Sequence, residues 1–317
     1  MEVRVKSITW EAPGIHTYEL VPLRPEPLPP FTAGAHIDVI LPGGVARQYS
    51  LHNPPRERHR YLVSVLHLPA GRGGSDALHR NTKAGDILAI SEPRNHFELI
   101  EGAARYVLVA GGIGVTPLIA MVARLAELQA DHVLHYCCRS RDSAAFSAAL
   151  EPLVADGRVV FHEDGGVPGN GLNVMRLFSE CAQGTQVYCC GPAGLMSAVR
   201  TATSHWPAGT VHFESFSAPA LSAPPPGVAG EVEFEVELAS TGRVIPVPHH
   251  QTMLEALRAH GVDLDSSCEA GTCGTCMTRY CEGEPDHQDY ILGAEEQQEF
   301  LMVCVSRSKS RRIKLDL

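Results

Sequence analysis

Cys268-Glu269-Ala270-Gly271-Thr272-Cys273-Gly274-Thr275-Cys276, with Cys304 after a further 27 residues, decides the character of this chain. Thiols spaced by four residues and then by two, with a distant fourth, make an arrangement that holds a two-iron, two-sulfur (2Fe–2S) cluster. Gly271 and Gly274 let the loop wrap tightly and bring backbone N–H groups to the sulfurs, offsetting the negative charge of such a cluster. Structural zinc takes two paired Cys-x2-Cys arms, and one such pair stands here. Four unrelated buried thiols is the other alternative. Cys281 follows the loop on a strand and reads as structural.

Around that loop lie 317 residues, enough for two or three domains, with 44% hydrophobic and 20% charged side chains. This is globular composition. The net charge of −10 leaves no electrostatic footprint for nucleic acid or anionic lipid. The charge is concentrated: residues 231–303 hold 15 acids against three bases, Arg243, Arg258 and Arg279. An acidic module of this kind faces water or a basic partner. Tyr106 to Ala123 is uncharged, but Gly111, Gly112, Gly114 and Pro117 suit a strand–turn–helix and would break a membrane span. No secretory h-region opens the chain, so ten cysteines point to metal or redox chemistry in a reducing compartment, the cytoplasm.

Three blocks differ in rhythm. Residues 1–102 carry short strand-like runs (Val3–Thr9, Thr17–Leu20, His36–Leu41, Gln48–Leu51, Tyr61–Leu68, Ile87–Ile90) and one helix candidate, Ser75–Thr82, which predicts a small β-barrel. From 103 to 216 strands and helices alternate: Arg105–Ala110, Pro117–Gln129, Val133–Cys138, Ser143–Ala155, Val159–His162, Val174–Cys181, Gln186–Cys190 and Ala193–His205. That alternation predicts an α/β doubly wound parallel sheet. Ser217–Gly230, with Pro219 and Pro224 to Pro226, is the linker. Beyond it the strict alternation of Glu231–Leu238 marks a half-exposed strand, Arg243–Val247 pairs with it, and Met253–His260 is a helix stopped by Gly261.

Two further motifs carry chemistry. Gly111-Gly112-Ile113-Gly114-Val115-Thr116-Pro117 lies between a strand and a helix, where glycines permit close backbone approach and a helix N-terminus attracts phosphate. Cys190-Gly191-Pro192 repeats the geometry after a later strand, and two such turns make a nucleotide crevice. Arg47-Gln48-Tyr49-Ser50, taken with Gly71-Arg72-Gly73-Gly74-Ser75, suits an anionic, flat ligand. Arg47 and the 73–75 amides would take phosphate while Tyr49 lies along a ring system. Arg139 and Arg141 follow the second strand of the middle block, where a basic pair either receives a 2′-phosphate or contacts adenine. Cys137, Cys138 and Cys189 read as core thiols. No residue proposes itself as an acid–base catalyst.

In this order the motifs resemble the phthalate dioxygenase reductase family, which includes vanillate demethylase reductases. The resemblance covers essentially the whole chain and includes His212-Phe213-Glu214-Ser215-Phe216. It implies a multidomain protein: an FMN-binding β-barrel domain (1–102), an NAD-binding domain (103–226) and a C-terminal plant-type ferredoxin domain of the α+β β-grasp kind (227–317). FMN rather than FAD follows from this domain order. The resemblance assigns flavin binding to Arg47, Gln48, Tyr49, Ser50, Ser64, Val65, Leu66, Arg72, Gly73, Gly74 and Ser75. It places the nicotinamide nucleotide at Gly111, Gly112, Gly114, Thr116, Pro117, Arg139, Cys190, Gly191 and Pro192, with Phe216 bordering the flavin. Ser50, Thr116 and Cys190 would lie nearest the reacting rings, and Cys268, Cys273, Cys276 and Cys304 would ligate the cluster.

The implied activity is that of an NADH-dependent oxidoreductase passing electrons through FMN to the 2Fe–2S cluster. The implied partner is a terminal oxygenase of Rieske type, docking a basic patch on the acidic face of 231–303, with Glu269, Glu282, Glu284 and Asp286 as candidates. A flavin reductase acting directly on quinones, nitro compounds or ferric chelates, and a redox-sensing interaction protein, are the other readings.

Overall fold

Alternating polarity builds the barrel. Along β1 (Glu2–Ala12), Val3 and Val5 are buried while Glu2, Arg4 and Lys6 face water, as the pleat requires. A computed structural model of the chain describes residues 1–41, 46–69, 73–216, 232–293 and 295–317. Gly71 and Arg72 of the expected flavin turn, and the expected linker 217–230, lie outside the described residues. The described chain divides into two compact units, Met1–Glu214 and Ser215–Leu317.

In the first unit, β1 is followed by β2 (Ile15–Pro22), β3 (His36–Ile40), β4 (Ala46–Ser50), β5 (Tyr61–Leu66), helix α1 (Gly74–Asn81) and β6 (Ile87–Ile90). Among the described residues these strands form one antiparallel sheet in the order β4-β3-β6-β1-β2-β5. A bridge from Leu51 to Val63 joins its two edges and closes the barrel. Inside lie Val3, Val5, Tyr18, Leu20, Ile37, Val39, Tyr61 and Val63.

The same unit continues with β7 (Arg105–Gly111), α2 (Val115–Glu127), β8 (His132–Cys138), α3 (Ser147–Ala155), β9 (Val159–Glu163), α4 (Val174–Leu177), β10 (Thr185–Cys190), α5 (Ala193–Ala202) and β11 (Val211–Glu214). The strands are parallel, in the order β11-β10-β7-β8-β9. The chain runs outward from β7 through β8 and β9, then returns to the other side of β7. The crevice between β7 and β10 is therefore the topological switch point, where ligands of such sheets bind. Helix α2 buries Leu118, Met121 and Leu125 beside Leu108, Leu134 and Tyr136 of the sheet.

Three elements differ from the sequence expectation. Helix α2 begins at Val115, so Pro117 is its third residue and not its first; its missing N–H still falls in the turn that has no intrahelical acceptor. The helix expected over Ser143–Ala155 begins at Ser147, because Ser140 and Ser143 bond each other's backbone in a separate 3₁₀ turn and Phe146 adopts φ +62. Val174–Cys181 contracts to one turn, α4, capped by the Asn173 side chain.

The second unit comprises β12 (Val232–Leu238), β13 (Val244–Pro248), α6 (Met253–Ala259), β14 (Met277–Glu282), β15 (Pro285–Asp286), β16 (Phe300–Met302), β17 (Arg307–Ser308) and β18 (Arg312–Leu315). Its main sheet runs β13-β12-β18-β14-β16, with β12 and β18 parallel at its centre. Phe234, Val236 and Leu238 point inward to meet α6, which opens on a reciprocal Thr252–Glu255 capping box.

The glycine turn after β7 and the Cys190–Gly191 turn approach so closely that side chains are excluded. A Cβ on Gly114 would lie 2.3 Å from the Cys190 carbonyl oxygen, whereas one on Gly169 would meet nothing within 4 Å. Gly114→Ala is expected to cost about 1–3 kcal/mol through overpacking and to lower the thermal midpoint, with Gly169→Ala close to wild type. Equal midpoints for the two variants would show that the turns separate freely.

Candidate functional site

On the barrel, β4 carries Arg47, Gln48 and Tyr49 half-buried and Ser50 buried. Gly74 opens α1 directly against Arg47: a Cβ there would come within 2.5 Å of the Arg47 Cγ. Gly73 precedes it at φ +78, and the Ser75 hydroxyl accepts from the Leu68 N–H at 3.0 Å. The structure thus joins two motifs 26 residues apart in sequence (47 and 73) into one guanidinium-and-helix-start cradle, which fits a phosphate. Burial pushes the Tyr49 hydroxyl up to about 12, so it remains a neutral ring and donor.

Ser64, Val65 and Leu66 of β5 are engaged within the protein. The Ser64 hydroxyl shares short hydrogen bonds with Thr17 Oγ1 (2.6 Å) and His52 Nε2 (2.9 Å). The Val65 carbonyl accepts from His79 Nε2 while its side chain lies in the barrel core, and Leu66 and Ile113 of the glycine turn pack against one cluster, Ala12, Ile15 and Ala145. Burial pulls the His52 imidazole down to about 3, leaving it neutral.

At the switch point, Gly111 lies against Pro192 and Leu195, and Gly191 against Gly111. The Thr116 hydroxyl is committed to the Ile113 carbonyl at 3.0 Å and stays buried, so it fixes the turn. Cys190 is buried, and burial followed by the nearby Glu214 raises its thiol well above the ordinary range; it remains a thiol. Arg139 is exposed, whereas Arg141 lies 3.7 Å over the Phe161 ring and pairs with Glu151. The basic pair available to a 2′-phosphate is thus reduced to one exposed arginine. Phe216 is 45% exposed.

Glu214 ends β11 and belongs, in sequence, to the His212–Phe216 motif. Its carboxyl turns inward, where Ser50 Oγ donates to Oε2 at 3.3 Å. Burial pushes it up to about 8, against the opposing effect of that hydrogen bond. Sequence offers one weak signal for it, a lone acid between two aromatic residues at a strand end.

In the second unit the four thiols assemble in two pairs. Cys268 is the neighbour of Cys273, and Cys276 that of Cys304. Within each pair the partner thiol pulls one sulfur low, Cys273 and Cys276, and pushes the other up. The N–H of Ala270 reaches Cys268 Sγ at 3.4 Å, and the Cys273 thiol donates to Thr275 Oγ1 at 3.3 Å. Gly271 and Gly274, at φ +72 and +81, supply the backbone the loop needs. Two thiol pairs with an amide donor beside them fit a two-iron cluster, with two thiolates for each iron. Arg258 of α6 anchors the loop's start through Glu269 Oε1 (2.9 Å), Ser266 Oγ (2.7 Å) and the Leu264 carbonyl (2.7 Å). Cys281 is exposed on β14.

A barrel with a phosphate cradle, a doubly wound sheet with a crevice at its switch point and a four-thiol loop define an iron–sulfur reductase of flavin and nicotinamide. Known proteins agree. The chain matches the oxidoreductase NAD-binding domain over residues 108–201 and the 2Fe-2S iron-sulfur cluster binding domain over 236–309. It is 46% identical to the reductase subunit of the tert-butanol monooxygenase / tert-amyl alcohol desaturase of Aquincola tertiaricarbonis, covering 100% of this chain and 96% of that one. It is 41% identical to the phthalate dioxygenase reductase of Burkholderia cepacia, over 100% of this chain and 97% of that one. A solved phthalate dioxygenase reductase, described as a modular structure for electron transfer from pyridine nucleotides to [2Fe-2S], matches with a TM-score of 0.72 and 40% identity, over 100% and 98% of the two chains. The chain belongs to the phthalate dioxygenase reductase family. It is an oxidoreductase that passes electrons from NADH through a flavin to a 2Fe–2S cluster, with an oxygenase component as its partner. Among the described residues no helix is long and apolar enough to cross a membrane.

Glu214 gives a pH test. The folded protein keeps this proton up to about pH 8, whereas the unfolded chain loses it near the ordinary glutamate value of 4.5. Stability is therefore expected to fall as pH rises from about 4.5 to 8, by on the order of a few kcal/mol. Glu214→Gln should flatten that slope in unfolding measured at pH 5.5, 7 and 8.5. A slope unchanged in the variant would locate the effect elsewhere.

Proposed function

We propose that this chain is the reductase component of a Rieske-type ring hydroxylase or demethylase, acting in the cytoplasm with FMN as its flavin. The observation that carries the reading is the four-thiol loop, gathered in the same chain as the cradle and the crevice. A reductase of small molecules needs flavin and nicotinamide alone. When bound, FMN takes electrons from NADH two at a time and releases them singly to the cluster.

Arg47, Gly73, Gly74 and Ser75 hold the phosphate; Gln48, Tyr49 and Ser50, with Ser64, Val65 and Leu66, line the flavin ring. The family resemblance adds Arg72 and Phe216 to the flavin-binding residues. Gly111, Gly112, Gly114, Thr116, Pro117, Cys190, Gly191 and Pro192 shape the nicotinamide crevice, and Arg139 serves the adenine end. The commitment of Arg141 to Phe161 and Glu151 supports NADH over NADPH. Cys268, Cys273, Cys276 and Cys304 ligate the cluster. The corresponding domains are 1–102, 103–226 and 227–317. Cys273→Ser should abolish or perturb the cluster's visible and EPR signals while flavin absorbance persists. Cys281→Ser should keep both, and loss of its cluster would overturn the ligand set.

For the docking face, ion pairs change the choice of acids. Glu269 pairs with Arg258, Glu282 with Lys314 and Glu284 with Lys309, so these three are locally offset. Glu235 and Glu237 likewise meet Arg312 and Lys314. The exposed acids flanking the cluster loop are Asp263 and Asp265, just before it, and Glu295 and Glu296. The latter follow Ile291, whose side chain lies 3.5 Å from the Cβ position of Gly274. These are the charges we assign to a basic patch on the oxygenase. Rim charges govern association rate and are screened beyond a Debye length of about 8 Å at physiological salt. Oxygenase reduction is expected to slow as salt rises, while NADH-dependent flavin reduction changes little. Asp265→Lys with Glu295→Lys should reproduce that loss at low salt more strongly than Glu282→Lys with Glu284→Lys. Indifference to salt and to both pairs would reduce the acidic face to a solvated surface.

A further inference from the structure

Asp289 stands out among the acids of the second unit because it is fully buried, with none of its surface exposed. Its Oδ1 accepts the N–H of Leu292 at 2.8 Å and of Ile291 at 3.2 Å, the donors a carboxylate needs where water is excluded. His287 Nδ1 lies 3.7 Å from Oδ2. A carboxyl in such a place is costly: capping the turn explains the acceptor oxygen, which an amide side chain would supply as well, and gives no reason for the charge.

Its neighbours supply one. A Cβ on Gly271 would lie 3.0 Å from the Asp289 Cα and 3.3 Å from its Cβ, so the two backbones are in direct contact. The next residue, Tyr290, donates its N–H to the Gly271 carbonyl at 2.9 Å. Gly271 in turn lies in the loop between Cys268 and Cys273, and its Cβ position is 2.7 Å from the side chain of Val305, the residue after Cys304. Asp289 therefore packs directly on the backbone that carries two of the cluster's thiols and beside the segment that carries a third. Taking up an electron makes an already anionic cluster more anionic. A fixed negative charge beside it in a poorly solvated environment opposes that step.

We propose that Asp289 is a positioning residue of the electron-transfer centre, whose buried carboxylate, set against Gly271, lowers the reduction potential of the 2Fe–2S cluster. This rests on the assignment of Cys268, Cys273, Cys276 and Cys304 as the cluster's ligands. The role is distinct from holding the loop, because an asparagine retains the Oδ1 acceptor for both amides and removes only the charge.

The test is an EPR-monitored redox titration of the full-length holoprotein and of Asp289→Asn. The variant is expected to favour the reduced cluster by about tenfold, a midpoint more positive by about 59 mV for a one-electron couple. A midpoint does not depend on occupancy, so partial loading leaves the comparison intact. A midpoint within about twofold of wild type on the same scale would assign Asp289 to loop structure alone and overturn the proposal, as would a variant that holds no cluster. A wild-type protein without a 2Fe–2S signal would instead overturn the ligand assignment on which the proposal rests.

Discussion

The contact between the Gly114 turn and the Cys190 carbonyl is the constraint on which the nucleotide-binding half depends. Two strand ends of one parallel sheet must come close enough to form a crevice, and a single methyl at Gly114, Gly111 or Gly191 would force them apart. Next to it, the β10–β11 register puts Cys190 opposite Glu214, whose carboxyl meets Ser50 of the barrel. The barrel and the glycine turn also share the cluster of Ala12, Ile15 and Ala145, reached by Leu66 from one side and Ile113 from the other. Barrel and parallel sheet are thus brought together by backbone geometry, with side chains filling what remains.

The organisation was legible in the sequence because each module uses a different period. Alternation gave the barrel strands and the first strand of the last module, strand–helix alternation gave the parallel sheet, and cysteine spacing gave the thiol loop. In the structure Cys268 neighbours Cys273 and Cys276 neighbours Cys304. Short elements were less visible. Strands β15 and β17 have two residues each, too few for any pattern, and β11 is hidden in a motif of mixed polarity. Helix α3 starts late because local serine hydrogen bonds outcompete helical ones, which only the three-dimensional contacts reveal.

Charge was where sequence counting misled. The excess of acids over 231–303 stops just short of Arg307, Lys309, Arg311, Arg312 and Lys314. Folding brings three of these back onto Glu235, Glu237, Glu282 and Glu284. Linear distance conceals this, since β18 pairs with β12 across 77 residues. Glu269, a docking candidate by its place in the loop, is also tied to Arg258. Exposed pairs of this kind contribute little to stability, but they do redistribute the field a partner meets.

The central place of β18 also governs how the protein is made. It lies between β12 and β14, so the last module's sheet is split until residues 312–315 are in position. A nascent chain can complete the 1–214 unit while the rest is still being translated, since domains fold as units from the N-terminal side. The cysteine-bearing module has no such opportunity before residue 315 has emerged from the ribosome. The loop that carries Cys268, Cys273, Cys276 and Cys304 therefore gains its finished sheet only after the 1–214 unit has had the chance to fold.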